Sequence, residues 1–252
     1  MRVSRNELTS LLSRVFEGQG LIDFDAAAKQ VVWLEQCGLH GLMRLSSCID
    51  FLEQSAQPRA QLTDVAVGQM SLDIGGNSTL AWGSAAAELL CSEALLTGFA
   101  TLDIEHCRNR MFILQPLSEC ALRGINCLAH WHLSGHVVGE NLAMFDAGEQ
   151  YPNFQTWEPS SPLATHRDHC LVLMCSEDAG PLQDYEEEQR GRGASKLRQT
   201  DSASLQVQQE NSLDCGIEIG IDFWKTLSRL GERVLVESSD DSRSRGAGPS
   251  GD

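Results

Sequence analysis

The stretch from Leu72 to Gly98, LDIGGNSTLAWGSAAAELLCSEALLTG, leaves the chain few choices. A short apolar start runs into Gly75-Gly76-Asn77-Ser78, and the run of small and apolar residues that follows is stopped by Gly98. The adjacent glycines supply the positive φ of a tight turn. Asn77 or Ser78 can cap a helix by accepting a bond from a free backbone N–H. The spacing predicts a helix over 79–97, stopped by Gly98. Its start is small (Ala81, Gly83, Ser84, Ala85, Ala86, Ala87), so another backbone or a ligand can come close. The stretch has two readings: a core helix packed on a sheet, or a helix start whose free N–H groups hold an anion at Gly75, Gly76, Asn77 and Ser78. It lacks the Gly-Lys-Ser/Thr of a P-loop and the GxGxxG spacing.

A chain of 252 residues, 42% hydrophobic, can bury a real core. Its net charge of −16 argues against a nucleic-acid partner, which needs a basic face, and against a polybasic membrane anchor. No apolar run reaches the ~20 residues of a membrane span. The start, MRVSRNELTSLL, lacks signal-peptide features. Nine cysteines, an odd number without a CxxC pair, read as reduced and mostly buried small hydrophobes in a cytoplasmic protein.

Before the organising stretch the periodicity is helical. Ser4 and Glu7 form a capping box for a helix over 4–17, with Leu8, Leu11, Leu12, Val15 and Phe16 on one face. A second helix runs from Asp23 to Gly38 and a third from Leu42 to Ser55. After the organising stretch, Phe99–Ile104, Met111–Leu114, Ile125–Leu133, Val137–Phe145 and His169–Cys175 read as strands. In Ile125–Leu133 the residues Cys127, Ala129 and Trp131 point one way, and Leu128, His130 and His132 the other. Residues 146–165 read as a loop. Residues 176–202 are acidic and polar and read as a mobile insertion. Leu213–Ile221 reads as ordered, with Ile217, Ile219 and Ile221 on one face, and Asp222 as the cap of a last helix. Val234–Val236 reads as a final short strand.

Two resemblances enter here. Val3-Ser4-Arg5-Asn6-Glu7-Leu8, followed by Gly38-Leu39-His40-Gly41-Leu42-Met43-Arg44-Leu45, resembles the N-terminal region of the malate/L-lactate dehydrogenase family of the non-Rossmann type. There a Ser-His-Gly element carries the catalytic histidine. The resemblance implies that role for His40, with a nicotinamide cofactor, although Gly38-Leu39 stands where the family has Asp-Ser. A second resemblance covers nearly the whole chain. The helical opening, the Gly turn with its Ala-rich helix, Arg110-Met111-Phe112-Ile113-Leu114-Gln115-Pro116 and Ser242-Arg243-Ser244-Arg245-Gly246-Ala247-Gly248 look like an uncharacterised bacterial family, a domain of unknown function. It implies an architecture rather than a chemistry.

Three groups of residues could carry chemistry. Arg110, with Arg243, Arg245, Gly246 and Gly248 of the tail, places cations beside glycines and could complete an anion site at the 75–78 turn. His130 and His132 share a strand face and, with His136 across the next turn, could ligate a metal; solvated or core-satisfied imidazoles are the other reading. Glu218 and Asp222 could act as an acid–base pair.

The expected fold is a single α+β domain over 1–252. A helical unit (1–57) packs on a mostly antiparallel sheet (58–175 and 203–237) with one central helix, plus the insertion at 176–202 and an Arg/Gly-rich tail at 238–252. The expected function is binding of a small anionic metabolite, as a metabolic enzyme or accessory subunit. Alternatives are a diverged NAD(P)-dependent malate/lactate dehydrogenase-like oxidoreductase and a non-enzymatic protein-interaction module.

Overall fold

The computed structural model describes residues 1–54, 60–133, 139–159 and 170–232. The chain enters as β1 (Arg2–Val3) and turns into α1 (Arg5–Gly18) at Ser4. The Ser4 hydroxyl accepts from the Glu7 N–H, and the Glu7 carboxylate accepts from the Ser4 N–H. That is the predicted capping box, with Leu8, Leu11, Leu12, Val15 and Phe16 as the buried face behind it. Asp23 caps α2 (Phe24–Gln36), also as expected. The third expected helix is broken in two, α3 (Gly41–Ser46) and α4 (Ile49–Gln54). At the break the Ser46 and Ser47 hydroxyls donate to the carbonyls of Met43 and Arg44. Serines that bond back to helix carbonyls compete with helix continuation.

β2 (Gln61–Ala66) and β3 (Gln69–Asp73) form a hairpin, and α5 (Thr79–Thr97) leads back to β4 (Phe99–Glu105). The Ser78 hydroxyl caps α5 by accepting from the Leu80 N–H, and Gly98 ends it at φ 82°. Gly83 lets the chain cross closely there: a Cβ would come within 3.3 Å of Ile113 Cδ1. The expected strand at Met111–Leu114 is a correction. It is a 3-10 helix, Arg110–Ile113, that continues into α6 (Leu114–Leu122). Pro116 sits in the first turn of α6, where a missing N–H is harmless. A short apolar run that is buried on all sides looks the same as a strand or a helix.

β5 (Asn126–Leu133), β6 (Gly139–Phe145), β7 (Asn153–Pro159), β8 (Leu171–Ser176), α7 (Gly180–Arg192), β9 (Gly193–Thr200), α8 (Ser202–Cys215), β10 (Ile217–Glu218) and α9 (Ile221–Gly231) complete the described chain. Three expectations change here. The loop read at 146–165 contains β7. The stretch read as a mobile insertion is α7 followed by β9, which pairs with β7. The ordered stretch from Leu213 is divided among the end of α8, the short β10 and the start of α9: Ile217 and Ile219 are buried, but Ile221 is exposed and opens α9. Gly220, not Asp222, is the N-cap residue of α9, and Glu218 and Asp222 share no strand.

One eight-stranded sheet runs in the order β2-β3-β4-β8-β5-β6-β7-β9. Only β3 and β4 pair in parallel, because α5 carries the chain between them; every other neighbour is antiparallel. One face, with Leu102, Ile104, Cys127, Ala129 and Trp131, joins α1, α2, α5 and α6 in the main core. The other face, with Leu128, Leu142, Met144, Trp157 and Met174, is covered by Leu182 and Tyr185 of α7. The alternation read in β5 therefore holds, and α7 explains why its second face is not simply wet. β1 pairs with β10 and the amino terminus donates to the Ile219 carbonyl, which ties the two ends of the described chain together. This is the α+β fold expected, with α5 central to it. Among the described residues no helix is long and apolar enough to cross a membrane.

Candidate functional site

His40 stands where α2 gives way to α3. Gly38, at φ 69°, ends α2, and the Leu39 N–H closes back on the Leu34 carbonyl at 2.8 Å. His40 then takes the left-handed conformation, φ 58° and ψ 50°, and its side chain makes no capping bond. A non-glycine residue in that region is uncommon, and it is held here by what surrounds it. Gly41 fixes the geometry: a Cβ on it would lie 2.1 Å from the Val31 carbonyl oxygen. α3 is thus pressed backbone to backbone onto α2, and the Glu35 carboxylate accepts from the Leu42 N–H at 2.8 Å. His40 is left exposed at the rim.

Arg44 lies one turn further along α3. Its Nε donates to the carbonyl of Leu39, the residue before His40, at 2.9 Å. The guanidinium is half-buried and has no carboxylate partner among the described residues. Burial, and then the positive charge of Arg198 on β9, push its pKa down. Two cations and an exposed imidazole therefore gather at this junction, where no carboxylate pairs with Arg44 among the described residues. Arg44 stands inside the stretch that resembles the dehydrogenases, yet its sequence position alone does not mark it as a site residue. Spacing from His40 by one helical turn was the available signal.

The Gly75–Ser78 turn is arranged differently. Gly75 and Gly76 have φ of 61° and 85°, as a tight turn requires. Their N–H groups, however, are used within the protein. Gly75 donates to Asp73 Oδ1 at 2.8 Å, Gly76 to the His106 carbonyl, and Asn77 to the Ile74 carbonyl. Arg108 clamps the turn through its backbone, donating to the Asn77 carbonyl and accepting from Thr79, while its guanidinium sits 4.4 Å over the Phe51 ring. Arg110 bonds to the Cys107 side chain. Beside the turn, Asp73, Glu105 and His106 bring ligand-type atoms within 4.8 Å of one another, with His106 Nδ1 3.0 Å from Asp73 Oδ1. Asp73 and Glu105 flank the turn, and the N–H groups of Gly75, Gly76 and Asn77 are already engaged within the protein. Arg243, Arg245, Gly246 and Gly248 lie outside the described residues, as does Val234–Val236.

His130 and His132 come together on the α7 face of the sheet, around a residue that the sequence reading passed over. His130 Nε2 lies 3.0 Å from one Glu140 oxygen and His132 Nδ1 3.1 Å from the other. The other nitrogen of His130 meets the Tyr185 hydroxyl at 2.9 Å, and its ring stacks on Trp157. Burial pushes the Glu140 pKa up, but the bonds and charges of the two imidazoles outweigh it and hold the carboxyl below its ordinary value. Cys127 faces away and meets Cys175 across the strands at 3.4 Å. His136, His166 and His169 lie outside the described residues. All nine cysteines are free thiols, and burial pushes Cys37, Cys48 and Cys107 up to about 12, which makes them inert packing groups.

Comparison with known proteins bears on the fold. A family model described as "Protein of unknown function (DUF3726)" matches residues 3–78, which include both the His40 junction and the Gly75–Ser78 turn. No curated protein matches the sequence. Among solved structures, the chain is similar to malate dehydrogenase from Pyrococcus horikoshii OT3, with 14% identity, a TM-score of 0.67, and 94% of this chain and 96% of that chain covered. It is similar to sulfolactate dehydrogenase from Methanocaldococcus jannaschii at 13% identity and a TM-score of 0.66, covering 94% and 98%. It is also similar to delta1-piperideine-2-carboxylate reductase from Pseudomonas syringae pvar. tomato at 14% identity and a TM-score of 0.61, covering 91% and 99%. At these identities the likeness concerns the backbone, and the chain shares the fold of malate/lactate dehydrogenase-like structures along nearly its whole length.

Proposed function

We propose that the chain is a cytoplasmic protein that binds a small carboxylate-bearing metabolite at the α2–α3 junction, and that this site is enzymatic. The observation that carries the proposal is Arg44, a half-buried guanidinium without a carboxylate partner among the described residues. Burying a charge without a partner is costly, and proteins tolerate it chiefly where a ligand supplies the partner. A guanidinium suits a carboxylate because its fork matches the two oxygens. Arg198 adds positive potential. His40, exposed at the rim, is the group that can move a proton to or from the bound molecule.

The second reading is a diverged nicotinamide-dependent oxidoreductase, favoured by the dehydrogenase fold and by His40-Gly41. The glycine turn at 75–78 does not fit the phosphates of such a cofactor, because its N–H groups are engaged and Asp73 and Glu105 flank it. The test is titration of the intact protein with L-malate, L-lactate and reduced nicotinamide cofactors, followed by calorimetry and fluorescence. Binding of a hydroxycarboxylate that falls roughly tenfold or more in Arg44→Met supports the proposal, since a bond to a charged group is worth that much. Equal binding by the variant overturns it. Cofactor binding in the same titration favours the second reading.

A further inference from the structure

Four thiols from four different elements meet in the main core: Cys91 of α5, Cys120 of α6, Cys127 of β5 and Cys175 of β8. The Cys120 sulfur is hydrogen-bonded to Cys127 and to Cys91. Cys127 in turn meets Cys175 at 3.4 Å between the sulfurs. Cys127 and Cys175 stand directly opposite each other in the antiparallel β5–β8 pair. Residues so placed share a face, with Cα atoms about 4.5–5.5 Å apart, which is a span that a disulfide bridges. Cys127 is therefore the middle of a row, with a bonding partner on either side. One end of the row is activated. Arg123, just past the end of α6, donates from Nη2 to Cys120 Sγ at 3.2 Å and is held there by both oxygens of Glu88, at 2.9 and 3.0 Å. The Cys127 thiol bonded to its sulfur, and after it the charge of Arg123, hold Cys120 below the ordinary thiol value against the pull of burial, while Cys127 is pushed up. Cys120 is enclosed in the folded chain, but it lies in the last turn of α6 beside the exposed Leu122. Helix ends open more readily than cores, and opening of this turn admits a small oxidant.

From this row we infer that Cys120, Cys127 and Cys175 form a peroxide-reactive site that closes a reversible disulfide between Cys127 and Cys175. The Cys120 thiolate attacks one oxygen of hydrogen peroxide. The O–O bond breaks, the sulfur becomes a sulfenic acid, and the other oxygen takes up a proton and leaves as water. The Cys127 thiol attacks that sulfur, the S–O bond breaks, and a second water leaves with the thiol proton. Cys175 then attacks the Cys127 sulfur and expels Cys120, which recovers the proton that Cys175 gives up. In sum two thiols lose two hydrogens and one peroxide is reduced to two waters. Arg123 is a positioning residue, which keeps the first sulfur in the reactive thiolate form.

The experiment exposes the full chain, carrying Cys215→Ser to remove its exposed thiol, to millimolar hydrogen peroxide under native conditions. Remaining thiols are alkylated, and intact masses and non-reducing peptide maps are read. The expected result is loss of two hydrogens, a Cys127–Cys175 linkage, and full reversal by dithiothreitol. Cys120→Ser leaves Cys127 and Cys175 reduced over the same exposure. Cys175→Ala stops the reaction at a Cys120–Cys127 linkage. Arg123→Met slows the reaction severalfold at neutral pH and moves its rate profile to higher pH, and Arg123→Lys restores part of the rate. Mere loosening of α6 has the opposite effect, because it speeds access to Cys120. No Cys127–Cys175 linkage after overnight exposure overturns the inference. So does a linkage that forms as fast in Cys120→Ser or in urea, or an unchanged rate profile in Arg123→Met.

Discussion

The α2–α3 junction and the histidine pair on the sheet hold the same side-chain type under opposite conditions. On the sheet every member of the cluster has a partner: Glu140 sits between His130 and His132, and Tyr185 closes the other side of His130. At the junction His40 has no capping bond, and Arg44 has no described counter-ion. The first arrangement is a finished structural network, in which each polar group offsets the burial of the next. The second carries a guanidinium with no carboxylate partner among the described residues. Function is better sought where the polar accounting is incomplete, and the comparison can be broken at either end.

The largest expected effect is at Gly41. In Gly41→Ala the new methyl meets the Val31 carbonyl at 2.1 Å and the Glu35 nitrogen at 2.9 Å, both main-chain atoms that cannot rotate away. Overpacking of this kind costs about 3 kcal/mol or more. That corresponds to a fall in Tm of roughly 6–12 °C for a chain of this size. Gly76→Ala is the control. A Cβ there meets nothing within 4 Å, so only the positive φ of 85° is penalised, at about 1 kcal/mol. Thermal melts of the two variants check this. Equal losses would mean that α3 does not lie against α2 as described, and the exposed presentation of His40 would fall with it.

The next effect separates the closed cluster from the open one by pH. Glu140→Gln keeps the shape but removes the charge shared by two imidazoles, and is expected to cost about 1–2 kcal/mol at neutral pH. The sign with pH is fixed by the lowered pKa. A carboxyl held below 4.5 in the folded state contributes stability that is present above 4.5 and lost as pH falls through the folded value. The gap between wild type and variant should therefore be full at pH 6–7 and shrink in acid. Urea unfolding at a series of pH values measures it. A gap that stays constant into acid would remove Glu140 from the centre of the cluster.

These contrasts also mark what sequence can carry. The capping box at Ser4 and Glu7, the turn at Gly75-Gly76, and the cap and stop of α5 were legible because each is set by residues within one or two turns of one another. The alternation in β5 was legible for the same reason. What failed was non-local. Nothing near Asp184–Glu188 shows that α7 covers the far face of the sheet through Leu182 and Tyr185, or that residues 193–200 find an edge at β7. The glycine turn was recognised as a turn, but whether its N–H groups face outward depends on Asp73, His106 and Arg108, two of which arrive from the end of another strand. His130 and His132 were seen without Glu140, whose position depends on the pairing register of β6. Arg44 shows the same limit: its identity is local, but the lack of a counter-ion is a property of the assembled surface.

Arg44→Met gives the smallest change in stability and the most discriminating sign. Replacing one member of a finished buried network destabilises, because it leaves the others unpaired. Arg44 has no carboxylate partner to strand among the described residues. Its pKa is pushed down by burial and by Arg198, so charging it works against the fold at every pH where it stays protonated, neutral pH included. Methionine fills similar space without that charge, and the bond to the Leu39 carbonyl is what is lost. The two terms are close in size, so the variant should lie within about 1 kcal/mol of wild type, on the stabilised side at low salt. Addition of a carboxylate ligand should reverse the order. Wild type gains RT ln(1 + [L]/Kd), about 2.7 kcal/mol at a hundred times Kd, and the variant gains little. Parallel melts with and without L-malate or L-lactate read both halves. If Arg44→Met unfolds as easily as Glu140→Gln, then Arg44 is already neutralised within the protein, and the junction is as closed as the histidine pair on the sheet.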